Sequence, residues 1–196
     1  ERDLNKAIQY LEKILAPNEI GAHILIGVAY VLNDQTDKAL PSLKIAADEG
    51  ITFMQLIYGI MRLDENNEEA IEYLEKAANS GIVPAMLILG QIYDEGEKVP
   101  QDLVKSTNFF KNAAMSNDEN GMIAYGVCLI RGDGCERDPE LGAEFIRKAA
   151  KEGNAKACKI LFVHACIKED IEKNEDDAPF YLIGLAKLTE DISESD

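Results

Sequence analysis

A short helical pattern recurs along this chain and keeps one register almost from end to end. The run Lys6-Ala7-Ile8-Gln9-Tyr10-Leu11-Glu12-Lys13 nearly repeats as Glu69-Ala70-Ile71-Glu72-Tyr73-Leu74-Glu75-Lys76. Three further copies follow Lys38-Ala39-Leu40, Lys105-Ser106 and Leu141-Gly142, and each ends on an alanine pair: 46–47, 113–114 and 149–150. A second pattern, an apolar residue then glycine, lies between consecutive copies at Gly27, Gly59, Gly90 and Gly126. The glycines step by 32, 31 and 36 residues, and the first pattern, at 7, 39, 70, 106 and 142, steps by 32, 31, 36 and 36. Two independent markers in one register are the signature of a stacked repeat.

The stretches between turns are rich in Ala, Leu, Ile, Glu and Lys, which are helix formers. With 46% hydrophobic residues, 7% aromatics and no Trp, the composition argues against a β-sandwich. The glycine pattern is therefore read as helix A of each repeat and the alanine-rich pattern as helix B. A glycine inside a helix costs about 1 kcal/mol against alanine, so four at one register require close helix approach. Gly50, Gly81 and Gly153 lie just past B helices, where a left-handed cap needs no Cβ. Each pair alone leaves an apolar stripe uncovered, and stacking on the next pair covers it.

The register predicts eleven helices: an orphan B helix at about 3–15, then A/B pairs at about 20–33 and 36–48, 51–64 and 67–79, 84–95 and 102–115, 119–131 and 138–151, and 154–168 and 177–190. In the last pair Phe162 takes the glycine place and Ala178 the start of helix B, so that Tyr181, Leu182 and Leu185 overlie Phe145, Ile146 and Ala149. The expected organisation is one helical repeat domain over 1–191, with the orphan helix at 1–16, repeats at about 20–50, 51–81, 84–117, 119–153 and 154–191, and an acidic tail at 192–196.

Two longer turns carry a family resemblance. Gly132-Asp133-Gly134-Cys135-Glu136-Arg137-Asp138 is similar to the G-x-G-V-x-x-D turn of the Sel-one-like repeat family, a relative of the tetratricopeptide repeat, and Gly96-Glu97-Lys98-Val99-Pro100-Gln101-Asp102 keeps its ends. Cys135 replaces the family's Val, Lys98 its second Gly, and Phe162 the last helix-A Gly. The resemblance is most specific from Ala85 to Gly153, and the earlier 31 to 32 residue periods approach tetratricopeptide length. It implies an all-α, right-handed α-solenoid of antiparallel helix pairs that acts as a protein-protein interaction adaptor in a larger complex.

The resemblance also implies that A helices line a concave surface. Residues three before and one after each register position are then the candidates for binding a partner: Ile24, Val28, Leu56, Ile60, Leu87, Gln91, Ile123, Val127, Lys159 and Val163. Such a groove is largely apolar and suits an amphipathic helix or apolar segment with basic flanks. The alternative is that these residues pack between neighbouring A helices. Tetratricopeptide clamps grip a terminal carboxylate with Lys and Asn at such places, and this largely apolar set is not expected to bind partners in that way.

A net charge of −16 argues against nucleic acid, which requires a basic surface. It serves as a solvated surface or as an acidic face that steers basic partners. No apolar run is long enough for membrane insertion. The chain opens at Glu1-Arg2-Asp3 without Met or a signal-peptide core, as a fragment or processed product does. Cys128, Cys135, Cys158 and Cys166 follow no disulfide or metal spacing; the last two, eight apart on one helix, are separated by about 12 Å. They are expected to be reduced core thiols in an intracellular, cytoplasmic protein.

No constellation points to catalysis, a cofactor or a metal. His23 and His164 fall in the first and last A helices, and His164, flanked by Cys158 and Cys166, is read as a helix-surface residue. Glu68-Glu69, Glu175-Asp176-Asp177 and the acidic tail are read as helix starts and solvated faces. The competing classes are a self-assembling or architectural subunit, in which the orphan helix offers an uncapped apolar end to another subunit or to missing N-terminal repeats, and the repeat segment of a larger multidomain protein.

Overall fold

The computed structural model describes residues 4–14, 19–168 and 171–193, and it divides into two compact units, Glu1–Ala85 and Met86–Asp196. Among the described residues there is no strand. The α-helices are α1 (Leu4–Ile14), α2 (Ile20–Leu32), α3 (Thr36–Asp48), α4 (Thr52–Arg62), α5 (Asn67–Asn79), α6 (Val83–Glu95), α7 (Leu103–Met115), α8 (Glu119–Arg131), α9 (Pro139–Lys151), α10 (Ala155–Phe162) and α11 (Ala178–Ser193). Helix α10 runs on as a π-helical segment, Val163–Lys168, and a 3-10 turn, Glu175–Asp177, precedes α11. The expected boundaries hold within one to three residues for most elements. The acidic tail reaches beyond the described residues at 194–196.

In each unit, helices pack on their neighbours in sequence: α1 on α2, α2 on α3, α3 on α4 and α4 on α5 in the first; α7 on α8, α8 on α9, α9 on α10 and α10 on α11 in the second. The expected glycine stops are present, and side-chain caps mark the starts. Asn66, Asp102 and Asp138 cap B helices by accepting a backbone N–H three residues on. Asp118 and Asn154 do the same for α8 and α10. Gly50, Gly81 and Gly153 have positive φ, and Asn117 fills the corresponding place after α7 with φ of 65°.

The helix-A glycines are holes for one knob each. A Cβ on Gly27, Gly59, Gly90 or Gly126 would lie 2.8 Å from Leu43, 2.7 Å from Leu74, 2.4 Å from Phe110 and 2.6 Å from Ile146. Those four residues share one place in helix B, four after the register residue. Leu43, Leu74 and Ile146 are completely buried, as are Ala39, Ala70, Ala113 and Ala149 beside them. The glycines' conformational cost is offset by the apolar area these knobs remove from water, worth about 2 kcal/mol or more per side chain.

The last pair reverses this arrangement, which corrects the expected overlay of Leu182 and Leu185 on Ile146 and Ala149. Leu182 is 70% exposed and Leu185 43% exposed, whereas Ile146 and Ala149 are fully buried. Phe162 occupies the helix-A hole, so no knob can enter there. The small residue moves to the other helix: a Cβ on Gly184 would meet the Cys158 carbonyl oxygen at 2.4 Å and Phe162 Cβ at 2.8 Å. Close approach is kept, and the face that α11 turns inward is changed.

A second paired place changes chemistry from repeat to repeat. Three residues after the helix-A glycine and one before the helix-B register residue stand Tyr30 and Lys38, then Arg62 and Glu69, then Tyr93 and Lys105. Lys38 lies 5.7 Å from the Tyr30 ring and Lys105 4.8 Å from that of Tyr93. In the middle repeat both partners are exchanged, and Arg62 Nε donates to Glu69 at 3.2 Å. Glu69 also accepts from Tyr58 at 3.0 Å and from Lys44. The Lys44 ammonium, then Tyr58 and Arg62, hold the Glu69 carboxyl below its ordinary range against the opposing cost of burial. A lowered carboxylate pKa adds stability at pH above the unfolded value of about 4.3, and this is lost as pH falls through the folded value. Glu69→Gln is therefore expected to cost about 1 kcal/mol in urea titrations at pH 7 and to differ little from the parent at pH 3.

Two expectations about polar residues are corrected by burial. His164 is 5% exposed, because the π-helical segment turns it inward beside Ala165. Asp177 is 2% exposed: Arg147 Nε donates to it at 2.6 Å and the Tyr181 hydroxyl at 3.4 Å. Ala7, whose counterparts Ala39 and Ala70 are completely buried, is exposed, since it faces no preceding helix among the described residues.

Candidate functional site

The outward face of the A helices is a stripe of four places, lying six and two residues before and one and five after the register position. Spacings of four, three and four put them on one side of a helix. In α2 the stripe is Gly21, Leu25, Val28 and Leu32; in α4 it is Phe53, Ile57 and Ile60, with Asp64 just past the helix. Leu25, Leu32, Phe53 and Ile60 are 51%, 62%, 56% and 44% exposed, an apolar set that the first unit leaves uncovered. In α6, Gln91 donates to Glu95 along the stripe at 2.6 Å.

In the second unit the stripe borders a hollow of about 220 Å³. Asn120, Ala124, Val127 and Arg131 of α8 form one wall, and Lys156 and Ile160 of α10 the other. Phe110 of α7, Ile123 and Cys128 line it with apolar surface, and Asp94 and Asp133 complete its edge. Arg131 faces Asp133 at 3.9 Å in an exposed pair. The turn carrying Asp133 is held by the Thr107 hydroxyl, which donates to the Asp133 carbonyl at 2.6 Å.

The structure separates the ten sequence candidates into two groups. Of the residues one after the register position, Ile60 and Gln91 are exposed, Val127 lines the hollow, and Val28 and Val163 are half-buried. Of those three before it, Leu56 and Ile123 are buried, Ile123 at the floor of the hollow, and Ile24, Leu87 and Lys159 are half-buried. Ile24 and Val28 pack against the core of the first unit. Geometry explains the split: at about 100° per residue, the place three before sits about 60° round from the glycine, still on the packed side, while the stripe spans about 100° to 160°. Sequence reasoning missed Leu25, Leu32, Phe53, Asn120, Lys156 and Ile160. The four-three-four spacing of apolar residues opposite the glycine was the signal for Leu25, Leu32, Phe53 and Ile160; Asn120 and Lys156, being polar, carried no such signal.

Chemically, the hollow offers desolvation and charge pairing. Burial raises the thiol pKa values of Cys128, Cys135 and Cys158 above the ordinary range, as expected for inert packed thiols. Cys128 and Cys158 are buried, and all four cysteines are free. Among the described residues no group of three His, Cys, Asp or Glu side chains is arranged to hold a metal, and no helix is long and apolar enough to cross a membrane.

The Sel1 repeat family model matches residues 1–14, 56–82, 83–118 and 120–154, together more than half of the chain. The chain belongs to the Sel1 repeat family. Sel1 repeats mediate protein-protein interaction, and their proteins are typically non-catalytic scaffolds. The matches include the three repeats whose glycine holes receive Leu74, Phe110 and Ile146; the pair built on Phe162 and Gly184 lies outside them.

Solved structures show the same fold. A protective antigen present in uropathogenic Escherichia coli strains, which displays an SLR fold, superposes with a TM-score of 0.75 at 24% identity, over 92% of this chain and 41% of that one. A Sel1 repeat protein from Oxalobacter formigenes gives 0.69 at 21% identity, over 91% and 75%. The fold of this Sel1 repeat chain is thus an all-α solenoid of helix pairs. Among curated proteins, DAP3-binding cell death enhancer 1 of Rattus norvegicus is 30% identical over 94 residues, 48% of this chain. The chain spans 18% of the length of that relative.

Proposed function

We propose that this Sel1 repeat chain is a non-catalytic adaptor that holds a partner polypeptide on its A-helix stripe and helps assemble a larger complex. The observation that carries the reading is the hollow between α8 and α10, where apolar Phe110, Ile123, Val127 and Ile160 stand within a charged edge. Apolar lining with a few polar groups at the margin is the form of a site that takes a side chain from a partner. The rat relative, named for binding DAP3, supports the class of function. The net charge of −16 favours approach of partners with basic flanks and disfavours nucleic acid.

A carboxylate placed inside the hollow would be desolvated by any occupant. Val127→Asp and Ile160→Asp are expected to weaken partner retention at least about thirtyfold, with helix content by circular dichroism unchanged. Affinity purification with mass spectrometry on the parent and both variants reads this directly. Equal retention by all three would remove the hollow from the function.

The exposed side of the terminal helices favours a second reading, a self-assembling or architectural subunit. Tyr10 of α1 and Leu182, Ile183 and Leu185 of α11 are apolar and exposed. An uncovered apolar face of this kind suits contact with another subunit or a further repeat. A mass that rises with concentration in light scattering supports assembly; a constant monomer mass excludes it.

A further inference from the structure

The edge of the hollow between α8 and α10 is not uniform in charge. Lys156 and Asn120 both lie at the stripe place six before the register position, in the first turns of α10 and α8. Neither side chain makes a hydrogen bond or ion pair among the described residues. At the other end, Asp94 near the end of α6 and Asp133 just past α8 bring two carboxylates, against one cation, Arg131, which already faces Asp133. Asn120 and Arg131 are eleven residues apart on α8, so the ends are separated by about 16 Å. Between them lie Ile123, Val127 and Ile160.

We infer that this hollow selects a partner segment of bipolar charge, with apolar side chains in the middle, a carboxylate at the Lys156 end and a cation at the Asp94–Asp133 end. The inference rests on the docking reading above and adds the chemistry of the occupant. An all-acidic segment meets Asp94 and Asp133 with like charge, and an all-basic one meets Lys156. Like-charge juxtaposition is what rejects wrong partners at such an edge. An amphipathic helix fits the spacing, since about three turns span 16 Å and place two apolar residues over the hollow. The strongly acidic surface as a whole favours the all-basic segment, so local and global electrostatics make opposite forecasts.

Three fluorescein-labelled helical peptides of equal length, with the same two central leucines, separate these forecasts by anisotropy. One carries Glu at one end and Lys at the other, one Lys at both ends, and one Glu at both. The bipolar peptide is expected to bind about tenfold tighter than either uniform peptide. Lys156→Glu is expected to transfer the preference to the all-Lys peptide, and Asp94→Lys with Asp133→Lys to the all-Glu peptide. Both changes are on the surface, and circular dichroism checks the fold. An all-Lys peptide that binds tightest to the parent, or a ranking unmoved by Lys156→Glu, overturns the bipolar inference while leaving docking intact. Binding of every peptide that Ile160→Asp leaves unchanged, or no binding of any, overturns the docking reading itself.

Discussion

Arg147→Ala is expected to destabilise the C-terminal part of the second unit by about 3–5 kcal/mol, because it strands a buried carboxylate. Asp177 is 2% exposed, and Arg147, itself largely buried, donates to it through Nε at 2.6 Å. The other guanidinium arm donates to the Glu172 carbonyl at 3.3 Å. One side chain of α9 thus ties down both the segment before α11 and the first residue ahead of that helix. The Glu172 N–H adds a bond to Glu140 of α9 at 2.9 Å. Removing the cation leaves Asp177 with the long Tyr181 contact at 3.4 Å, too little for an ionised group away from water. Hydrogen exchange is the measurement: protection should fall in α11 and in 171–177 while α3 and α5 keep theirs. The double variant Arg147→Met with Asp177→Leu should recover much of the loss, since apolar replacements leave no charge stranded. A single variant that exchanges like the parent throughout would show that the pair holds nothing in place.

Gly134→Ala is the second large effect, at about 3 kcal/mol or more. Gly134 has φ of +66°, and a Cβ there would lie 2.0 Å from the Leu103 carbonyl oxygen and 2.3 Å from its carbon. The obstruction is backbone at the first turn of α7, which cannot swing aside as a side-chain tip can. Gly153→Ala supplies the control. Its φ is +95°, with nothing within 4 Å of the added Cβ, so the variant bears the backbone cost alone, about 1–2 kcal/mol. The difference between the two in chemical denaturation isolates the contact between the turn and α7. If Gly134→Ala costs no more than Gly153→Ala, the turn moves off α7 freely. The other long turn shows why one glycine of the pair is dispensable there: Gly96 keeps a positive φ, whereas Lys98, in the place of Gly134, has an ordinary backbone.

The repeat was legible because its physics is local and recurrent. A hole at Gly27, Gly59, Gly90 or Gly126 and a knob four places into helix B occur at fixed offsets, so spacing alone gave the pairs. The glycine stops at Gly50, Gly81 and Gly153 were legible for the same reason, since a helix end is written within a few residues, whereas the caps at Asn66, Asp102 and Asp138 came from the structure. The last repeat was not. Phe162 announced a departure from the pattern, but that Gly184 on the partner helix restores the close approach depends on which faces meet across 22 residues of chain. The extrapolated register placed Leu182 and Leu185 in a core that α11 does not offer them. Asp177 reads as one more acid in a run of three until the fold brings Arg147 from 30 residues away.

The exposed stripe of the A helices was legible to within a fraction of a helical turn. Counting from the glycine reached, in Ile60, Gln91, Ile123 and Val127, residues that the structure leaves exposed or lining the hollow. It also took in Leu56, which the core absorbs. The amino-acid sequence by itself determined the helical class, the pairing of neighbours and the family, because periodicity and capping act over a few residues and repeat. Tertiary structure alone decided which side of each A helix meets solvent, where the hollow opens between α8 and α10, and which charges stand at its two ends. Those are matters of how one helix rotates against the next, and rotation is set by the mutual fit of side chains far apart in the chain.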